Sequence, residues 1–321
     1  MNIIGIDVGK RKLDIALLEQ GKIRSKVFDN TAAGHTTLVV WLGKHGVVAQ
    51  DAHACMEATS TYYEKLAEYL CQCGYRVSVV NPLQIKAYGE SLLRRQKTDR
   101  ADAELIARYC EQHRPPQWQA PLPEVRQLQH LLARLEAIQG MRVQEQNRRY
   151  QAEGDARESV ERILTALNQE LAELEKRIND HIDRHPHLRE QRELLCSIPG
   201  VGARISAYFM AWLNTERFDD ARQVVAFVGL SPQHRESGSS VHGKPRICKI
   251  GNARIRRALY MPAMSAIQCN QAARALFERL RGAGKLGKVA LVAVMRKLIH
   301  WMFGVLKSGK PFDVQLALAK A

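Results

Sequence analysis

The chain has 321 residues, which is too long for one ordinary hydrophobic core and indicates two domains. Its apolar fraction of 45% excludes global disorder, and 48 Lys and Arg against 33 Asp and Glu give a formal charge of +15. That charge favours a polyanionic partner, nucleic acid ahead of an acidic membrane surface. Residues 234–310 alone hold 16 Lys or Arg and two acids among apolar runs, which predicts a folded basic domain.

The first 115 residues alternate strand and helix patterns. Short apolar runs predict strands over residues 3–8, 13–18, 23–28, 52–57 and 77–80. Helical patterns cover residues 36–42 and 61–73. The resulting order β-β-β-α-β-α-β-α predicts an α/β domain of the RNase-H-like type.

A proline-rich stretch around Pro115-Pro116 predicts a linker, and two long helices follow it. The second helix has apolar residues at spacings of 4, 3, 4, 3 and 4, namely Val160, Leu164, Leu167, Leu171, Leu174 and Ile178. This heptad seam predicts an antiparallel coiled-coil hairpin that pairs subunits, and an amphipathic helix packed within its own chain is the alternative. The predicted domains are therefore 1–115 (α/β), 116–190 (helical coiled-coil connector) and 191–321 (basic, mainly α).

A glycine turn opens the basic domain. Residues 194–206 predict a helix, the turn Gly200-Val201-Gly202 and a second helix. Backbone N–H groups at such a turn can hold a phosphate, as in the helix-hairpin-helix motif of DNA-repair proteins, which this segment resembles. An ordinary glycine turn between helices is the alternative.

Four acidic residues form the candidate catalytic set. Asp7 and Glu57 lie at the ends of predicted strands, and Asp99 and Asp102 are three residues apart on one face of a helix. Singly, each has an ordinary explanation, since a strand-end Asp can cap a turn and Asp99 can cap its own helix. Together they could surround two divalent cations and support phosphoryl transfer.

These acids belong to three sequence motifs: Gly-Ile-Asp-Val-Gly-Lys, Glu-Ala-Thr-Ser-Thr-Tyr and Lys-Thr-Asp-Arg-Ala-Asp-Ala. Asn81-Pro82 precedes the last of them. In order and separation they resemble the DEDD transposases of bacterial insertion sequences (the insertion-sequence one-hundred-and-ten family). The resemblance implies an N-terminal domain like that of the Holliday-junction resolvase RuvC. It also implies that the four acids bind Mg²⁺, with Mn²⁺ as the alternative ion.

The basic half carries a second motif of the same family. Ala-Phe-Val-Gly-Leu-Ser-Pro at 226–232 precedes Arg-Glu-Ser-Gly-Ser-Ser at 235–240. The resemblance implies that Ser237 attacks DNA and forms a covalent phosphoserine link, and the neighbouring Ser239 and Ser240 leave that assignment open. From the residues alone, such a segment is usually a flexible loop.

Cationic residues near this motif are predicted to contact nucleic acid. Arg235, Lys244 and Arg246 are placed to hold a scissile phosphate. Around Gly251-Asn252 the candidates are Lys249, Arg254, Arg256 and Arg257. A solvated cationic helix face is the alternative.

The leading hypothesis is a transposase that cleaves and exchanges strands between element ends and target DNA. The resemblance implies a dimer or tetramer, a Holliday-junction-like intermediate and a structured bridge RNA as guide. One alternative is a Mg²⁺-dependent hydrolytic nuclease that acts on branched DNA, with Ser237 structural. A non-catalytic nucleic-acid scaffold is another, and an actin-like ATPase is disfavoured because glycine-rich phosphate loops do not follow the first strand.

The expected location is the bacterial cytoplasm, in association with the nucleoid. Seven scattered cysteines without a CxxC pair are typical of reduced thiols and argue against structural zinc. The strand-like opening at Ile3–Ile6 predicts no signal peptide. No uninterrupted apolar run approaches membrane-spanning length, so we expect no membrane association.

Overall fold

A computed structural model describes residues 1–58, 60–93, 98–213, 218–237 and 241–318, with the backbone alone for 234–237 and 241–245. The chain divides into two compact units, Met1–Ala120 and Pro121–Ala321, called unit 1 and unit 2 below. Unit 1 has a hydrophobic core on each side of its sheet, and unit 2 has one continuous core of its own.

Unit 1 contains a five-stranded mixed sheet. Its strands are β1 (Asn2–Val8), β2 (Lys12–Glu19), β3 (Lys22–Asp29), β4 (Ala52–Glu57) and β5 (Arg76–Val80). They are arranged in the order β3-β2-β1-β4-β5. β2 runs antiparallel to β1 and β3, whereas β4 runs parallel to β1 and β5. This arrangement confirms the predicted α/β class, with the five strands at the predicted places along the chain.

The described residues of unit 1 also form four helices and a short 3-10 turn (Ala49–Asp51). The helices are α1 (Ala32–Lys44), α2 (Glu64–Gln72), α3 (Pro82–Ser91) and α4 (Asp99–His113). α1 begins four residues earlier than predicted because the Thr31 hydroxyl accepts a hydrogen bond from the Gly34 N–H and caps it. α2 begins at Glu64, three residues later than predicted.

The two faces of the sheet are covered by different helices. Ile4, Ile6 and Ile15 face one core, which includes the apolar residues of α1 and α2. Ile3 and Ala16 face the other, which includes residues of α3 and α4. Side chains alternate along a strand, so β1 and β2 present consecutive residues to opposite cores.

Gly5 lets α4 lie directly against β1. A Cβ at this position would be 2.2 Å from the Ala103 carbonyl oxygen and 2.4 Å from the Ala107 nitrogen. Both atoms belong to the backbone of α4, so a side chain here could not be accommodated by a rotamer change. The missing side chain therefore fixes the height of α4 above β1.

Unit 2 is mainly helical, as predicted, with one β-hairpin formed by β6 (Pro232–Ser237) and β7 (Val241–Ile247). Its helices are α5 (Pro123–Arg149), α6 (Gly154–Arg184), α7 (Pro186–Cys196), α8 (Ala203–Trp212), α9 (Ala221–Val228), α10 (Ala253–Ala258), α11 (Tyr260–Cys269), α12 (Gln271–Gly282), α13 (Gly287–Ser308) and α14 (Val314–Leu318).

The long helices α5 and α6 form a hairpin within the chain. Of the predicted heptad seam on α6, Leu171, Leu174 and Ile178 are buried in the same core as Leu128 and Leu132 of α5. Intrachain packing thus covers this part of the seam, which was the alternative to subunit pairing. The same core continues into the later helices, and a role of the hairpin in pairing subunits stays a prediction.

The helix α13 is the one segment of the described chain that is long and apolar enough to cross a membrane by length and composition. Half of its most apolar window is buried within the protein. Leu298, Ile299 and Met302 are fully or almost fully enclosed by the core of unit 2. Packing inside the protein therefore accounts for the apolar character of α13.

Candidate active site

Three carboxylates lie on one face of the unit 1 sheet. Asp7 is paired across the β1–β2 ladder with Asp14. Glu57 ends β4, one position beyond the pair formed by Ile6 and Met56. Adjacent strands are about 4.8 Å apart, and residues in register point to the same face. Asp7, Asp14 and Glu57 therefore emerge side by side toward α4.

The first turn of α4 carries the other two predicted acids. Asp99 and Asp102 both lie in this turn, as predicted. The N-cap is Thr98, whose hydroxyl accepts a hydrogen bond from the Ala101 N–H at 3.2 Å. The alternative in which Asp99 caps the helix is therefore wrong. The preceding Lys97, and Thr59 after Glu57, lie outside the described residues.

The electrostatics of Asp7 show that these acids influence one another. Burial, followed by the negative charges of Asp99, Asp102 and Asp14, raises the pKa of Asp7 from 3.8 to about 6. A half-buried carboxylate among other acids is unfavourable because its charge is poorly solvated and repelled. The region thus has unbalanced negative charge.

Lys12 partly neutralises this charge. Its ammonium nitrogen lies 2.6 Å from Oδ2 of Asp99 and 3.4 Å from Oδ2 of Asp14. The hydrogen bond lowers the pKa of Asp99 and raises that of Lys12. Sequence reasoning missed both Lys12 and Asp14. Both residues belong to the predicted second strand or its start, but their alignment with Asp7 and Asp99 requires the strand register and the helix contact.

The donor set suits a hard divalent cation. Among the described residues, no three His, Cys, Asp or Glu side chains are yet grouped closely enough to hold a metal ion. Carboxylate oxygens are nevertheless the ligands that Mg²⁺ prefers. The raised pKa of Asp7 is an independent sign that positive charge would stabilise this region. By donor chemistry, Asp7, Glu57, Asp99 and Asp102 therefore suit the divalent ion that their motifs imply.

The serine motif lies at the β6–β7 hairpin. Ser237 pairs with Val241 at the end of the ladder. The Ser237, Arg235 and Lys244 side chains lie outside the described part of the structure, as do residues Ser239 and Ser240.

The base of this hairpin is held by backbone contacts to the end of α9. The Asn252 N–H donates to the Phe227 carbonyl at 2.7 Å, and the Cys248 N–H donates to that of Ser231 at 2.9 Å. Gly251 has a φ of +135°, and a Cβ there would lie 2.1 Å from the Phe227 oxygen. Only glycine fits this approach, so the chain enters and leaves the hairpin at a fixed place.

Two of the predicted nucleic-acid contacts have partners inside unit 2. Arg254 lies over the Trp212 ring, 5.3 Å from its centroid, and its Nε is 3.3 Å from Glu136. Arg256 donates to the Val228 carbonyl at 2.7 Å. These contacts attach α10 to its neighbours. The other candidates whose side chains are described are exposed, namely Arg246, Lys249 and Arg257.

The two glycines of the predicted phosphate turn differ from each other. Gly200 has a φ of +94°, and a Cβ there would lie 2.7 Å from the Cα of Ala266 in α11. Close helix packing therefore explains this glycine. Gly202 precedes α8 as its N-cap, is exposed, and would meet nothing within 4 Å on gaining a Cβ.

Comparison with known proteins identifies the family. Residues 4–152 match a transposase model of the DEDD type, and residues 192–278 match the model described as transposase, IS116/IS110/IS902 family. The pilin gene-inverting protein of Moraxella bovis is 31% identical over 315 residues, 98% of each chain. This chain belongs to the IS110-type transposase family. It is accordingly a DNA-processing enzyme.

Other relatives cover the chain to different extents. The pilin gene-inverting protein of Moraxella lacunata is 30% identical over 98% of both chains. An uncharacterized 43.6 kDa protein of insertion element IS110 from Streptomyces coelicolor is 29% identical over 49% of this chain and 38% of its own. RuvC of T. thermophilus, solved with a Holliday junction substrate, covers 33% of this chain and 90% of its own at 16% identity. Its TM-score of 0.24 is too low to define a fold relationship.

Proposed function

We propose that this IS110-type transposase cleaves and exchanges DNA strands between the ends of a mobile element and a target site. The observation that carries the proposal is the placement of Asp7, Glu57, Asp99 and Asp102 on β1, β4 and the first turn of α4, all at one end of unit 1. The likeness to pilin gene-inverting proteins supports it, because inverting a segment also requires strands to be cut and rejoined.

Asp7, Glu57, Asp99 and Asp102 would hold the divalent ions, Mg²⁺ in the first place and Mn²⁺ as the alternative. When bound, such ions neutralise charge on a phosphate and lower the pKa of an attacking hydroxyl. By holding those ions, the acids would fix where the reacting phosphodiester can bind relative to the sheet edge. The four motif positions supply oxygen donors from three separate elements, which is the requirement for surrounding an ion.

Ser237 is the proposed nucleophile. Its hydroxyl oxygen would bond to phosphorus as its proton leaves, while the bond from phosphorus to the departing deoxyribose oxygen breaks and that oxygen gains a proton. The phosphoserine link keeps the phosphodiester's bond energy, so a second DNA hydroxyl can displace Ser237 and join strands without ATP. The fixed base of the β6–β7 hairpin supports this role by defining where the segment starts and ends.

Nucleic-acid binding would rest on the cationic surface of unit 2. The exposed residues Arg246, Lys249 and Arg257 are the candidates for phosphate contacts among the described side chains, and Arg235 and Lys244 remain part of the proposal. The proposal also includes a structured bridge RNA that selects sequences by base pairing, and a dimeric or tetrameric assembly. Both come from the family resemblance described above.

A strand-exchange assay with purified protein, its co-purified RNA and end-labelled DNA tests the chemistry. Ser237→Ala should abolish the covalent protein–DNA adduct and lower strand exchange at least about 1,000-fold, because the attacking hydroxyl is removed. An adduct that survives this change but is lost in Ser239→Ala or Ser240→Ala would assign the nucleophile to that serine instead. Asp102→Asn should abolish cleavage to a similar extent. The control is Ser231→Ala in the same segment, which should react like the wild type.

Two outcomes would contradict the proposal. Nicking that survives Ser237→Ala without an adduct would favour the hydrolytic nuclease. Wild-type recombination by the double variant Asp99→Ala, Asp102→Ala would favour the non-catalytic scaffold.

A further inference from the structure

Lys12 occupies a position that the family motifs do not explain. Its ammonium bridges two carboxylates on different elements, Asp14 on β2 and Asp99 on α4. It is thereby a positive charge held against one of the four acids proposed to bind metal.

The two carboxylates that contact Lys12 differ in exposure. The side chain of Asp14 is 10% exposed, whereas that of Asp99 is 55% exposed. Asp14 is two residues from Lys12 on the same strand, so the two side chains point to the same face. Asp99 belongs to a separate helix and can exchange Lys12 for another cation at a water-accessible position. The contact with Asp14 is therefore the one that Lys12 can keep when the contact with Asp99 is broken.

We propose that Lys12 is a tethered counter-cation of the acid site, bound to Asp99 in the metal-free protein and released from Asp99 when a divalent ion binds. The inference rests on the proposed function, since it requires Asp99 to be a metal ligand. Asp14 acts as the anchor that retains Lys12 beside the site. Lys12 is thus a positioning residue that holds the first turn of α4 against β2 until the ion replaces it.

The chemistry of lysine suits this role. Its ammonium is a single compact charge on a flexible stem, so it can move between carboxylates without a fixed geometry. Lys12 occupies Oδ2 of Asp99 at 2.6 Å, so a divalent ion that takes this oxygen has to displace the ammonium, whose positive charge repels it. An exposed ion pair is weak, so the competition lowers metal affinity only moderately.

Metal binding by the full chain without DNA tests the inference. Free Mn²⁺ would be measured by electron paramagnetic resonance during titration of the wild type and of the variants Lys12→Met and Lys12→Gln. Both variants should bind Mn²⁺ about three- to fivefold more tightly, because the competing charge is gone. Their melting temperatures should fall slightly without metal and rise more than that of the wild type on adding Mn²⁺.

Matched controls separate competition from general charge effects. Lys10→Met removes the same charge from an exposed position two residues earlier and should change Mn²⁺ affinity less than twofold. Lys12→Arg keeps the charge and should bind Mn²⁺ like the wild type. Asp7→Asn should weaken Mn²⁺ binding at least tenfold if the acids hold the ion.

The outcomes distinguish the two proposals. Equal Mn²⁺ affinity in the wild type and Lys12→Met, together with a loss in Asp7→Asn, would overturn the Lys12 inference and leave the metal site standing. Mn²⁺ binding by Lys12→Met but not by the wild type would support the inference. No binding by the wild type or by Lys12→Met, up to millimolar Mn²⁺, would overturn both proposals.

Discussion

The acidic end of unit 1 and the cationic surface of unit 2 differ in how well residue type predicts a role. Residues 1–120 carry 16 Lys or Arg and 13 Asp or Glu, whereas residues 121–321 carry 32 and 20. In unit 1, Asp7 and Glu57 lie near strand ends and Asp99 and Asp102 lie in a first helical turn, as their motifs predict. In unit 2, Arg254 and Arg256 are engaged in packing, and Gly200 is required by helix contact.

The difference follows from the chemistry of the side chains. A half-buried carboxylate surrounded by other acids, such as Asp7, is unfavourable when it is charged, so the proposed metal ion would give it a favourable partner. Arginine has five donors, a planar surface and a long apolar stem, and it can serve many structural purposes. A run of arginines therefore predicts nucleic-acid binding less specifically than a set of acids predicts metal binding.

The largest expected change in stability concerns the glycine turn of unit 2. Gly200→Ala should lower the free energy of unfolding by about 3 kcal/mol, because the added Cβ meets the Ala266 backbone and the φ of +94° is strained for alanine. Gly202→Ala should change it by no more than about 0.5 kcal/mol. Urea unfolding of both variants measures the difference. Equal losses would show that packing against Ala266 does not explain Gly200.

A smaller effect concerns the charge of Asp7. Its raised pKa means that the folded protein binds a proton more tightly than the unfolded chain, so stability falls as the pH rises from about 4 to about 6 and stays low above that. Allowing for solvent screening, metal-free Asp7→Asn should be more stable than the wild type by about 1 kcal/mol at pH 7.5.

Thermal unfolding in the presence of a chelator, over a series of pH values, tests this expectation. The advantage of Asp7→Asn should disappear below about pH 4, where the wild-type carboxyl is protonated in both states. If Asp7→Asn is instead less stable than the wild type at pH 7.5, Asp7 has a structural role. Residue type would then predict function no better in unit 1 than in unit 2.

The smallest effect separates structural from surface arginines. Arg257→Gln should leave stability unchanged and weaken DNA binding, with the slope of log affinity against log salt reduced by about 1. Arg254→Gln should cost about 1 kcal/mol of stability because it loses its contacts with Trp212 and Glu136. Fluorescence anisotropy at several salt concentrations and urea unfolding provide the two measurements. The reverse pattern would show that Arg254 binds DNA and Arg257 supports the fold.

Local patterns predicted much of the fold of unit 1. Short apolar runs placed the five strands, and the positions of Asp7 and Glu57 near strand ends were correct. Asp99 and Asp102 were correctly placed in a first helical turn, although Thr98 provides the cap. These features depend on a few neighbouring residues, which is why sequence reasoning reached them.

Features that depend on distant residues were missed. The pairing of Asp7 with Asp14 requires the strand register, and the bridge from Lys12 to Asp99 joins residues 87 positions apart. The contacts of Gly200 with α11 and of Arg254 with α5 likewise join segments that are far apart in the chain. Sequence spacing within one element carries no information about such partners, so a register or a contact is needed to find them.

Gly5 has a consequence for how the acid site can change by mutation. Because the α4 backbone rests on the bare Cα of this residue, even a single added methyl group would push the helix outward. Asp99 and Asp102 would then shift together, away from the β1 carboxylate two residues further along. A single methyl group at Gly5, which has no reactive side chain, would thus change the positions of Asp99 and Asp102 together.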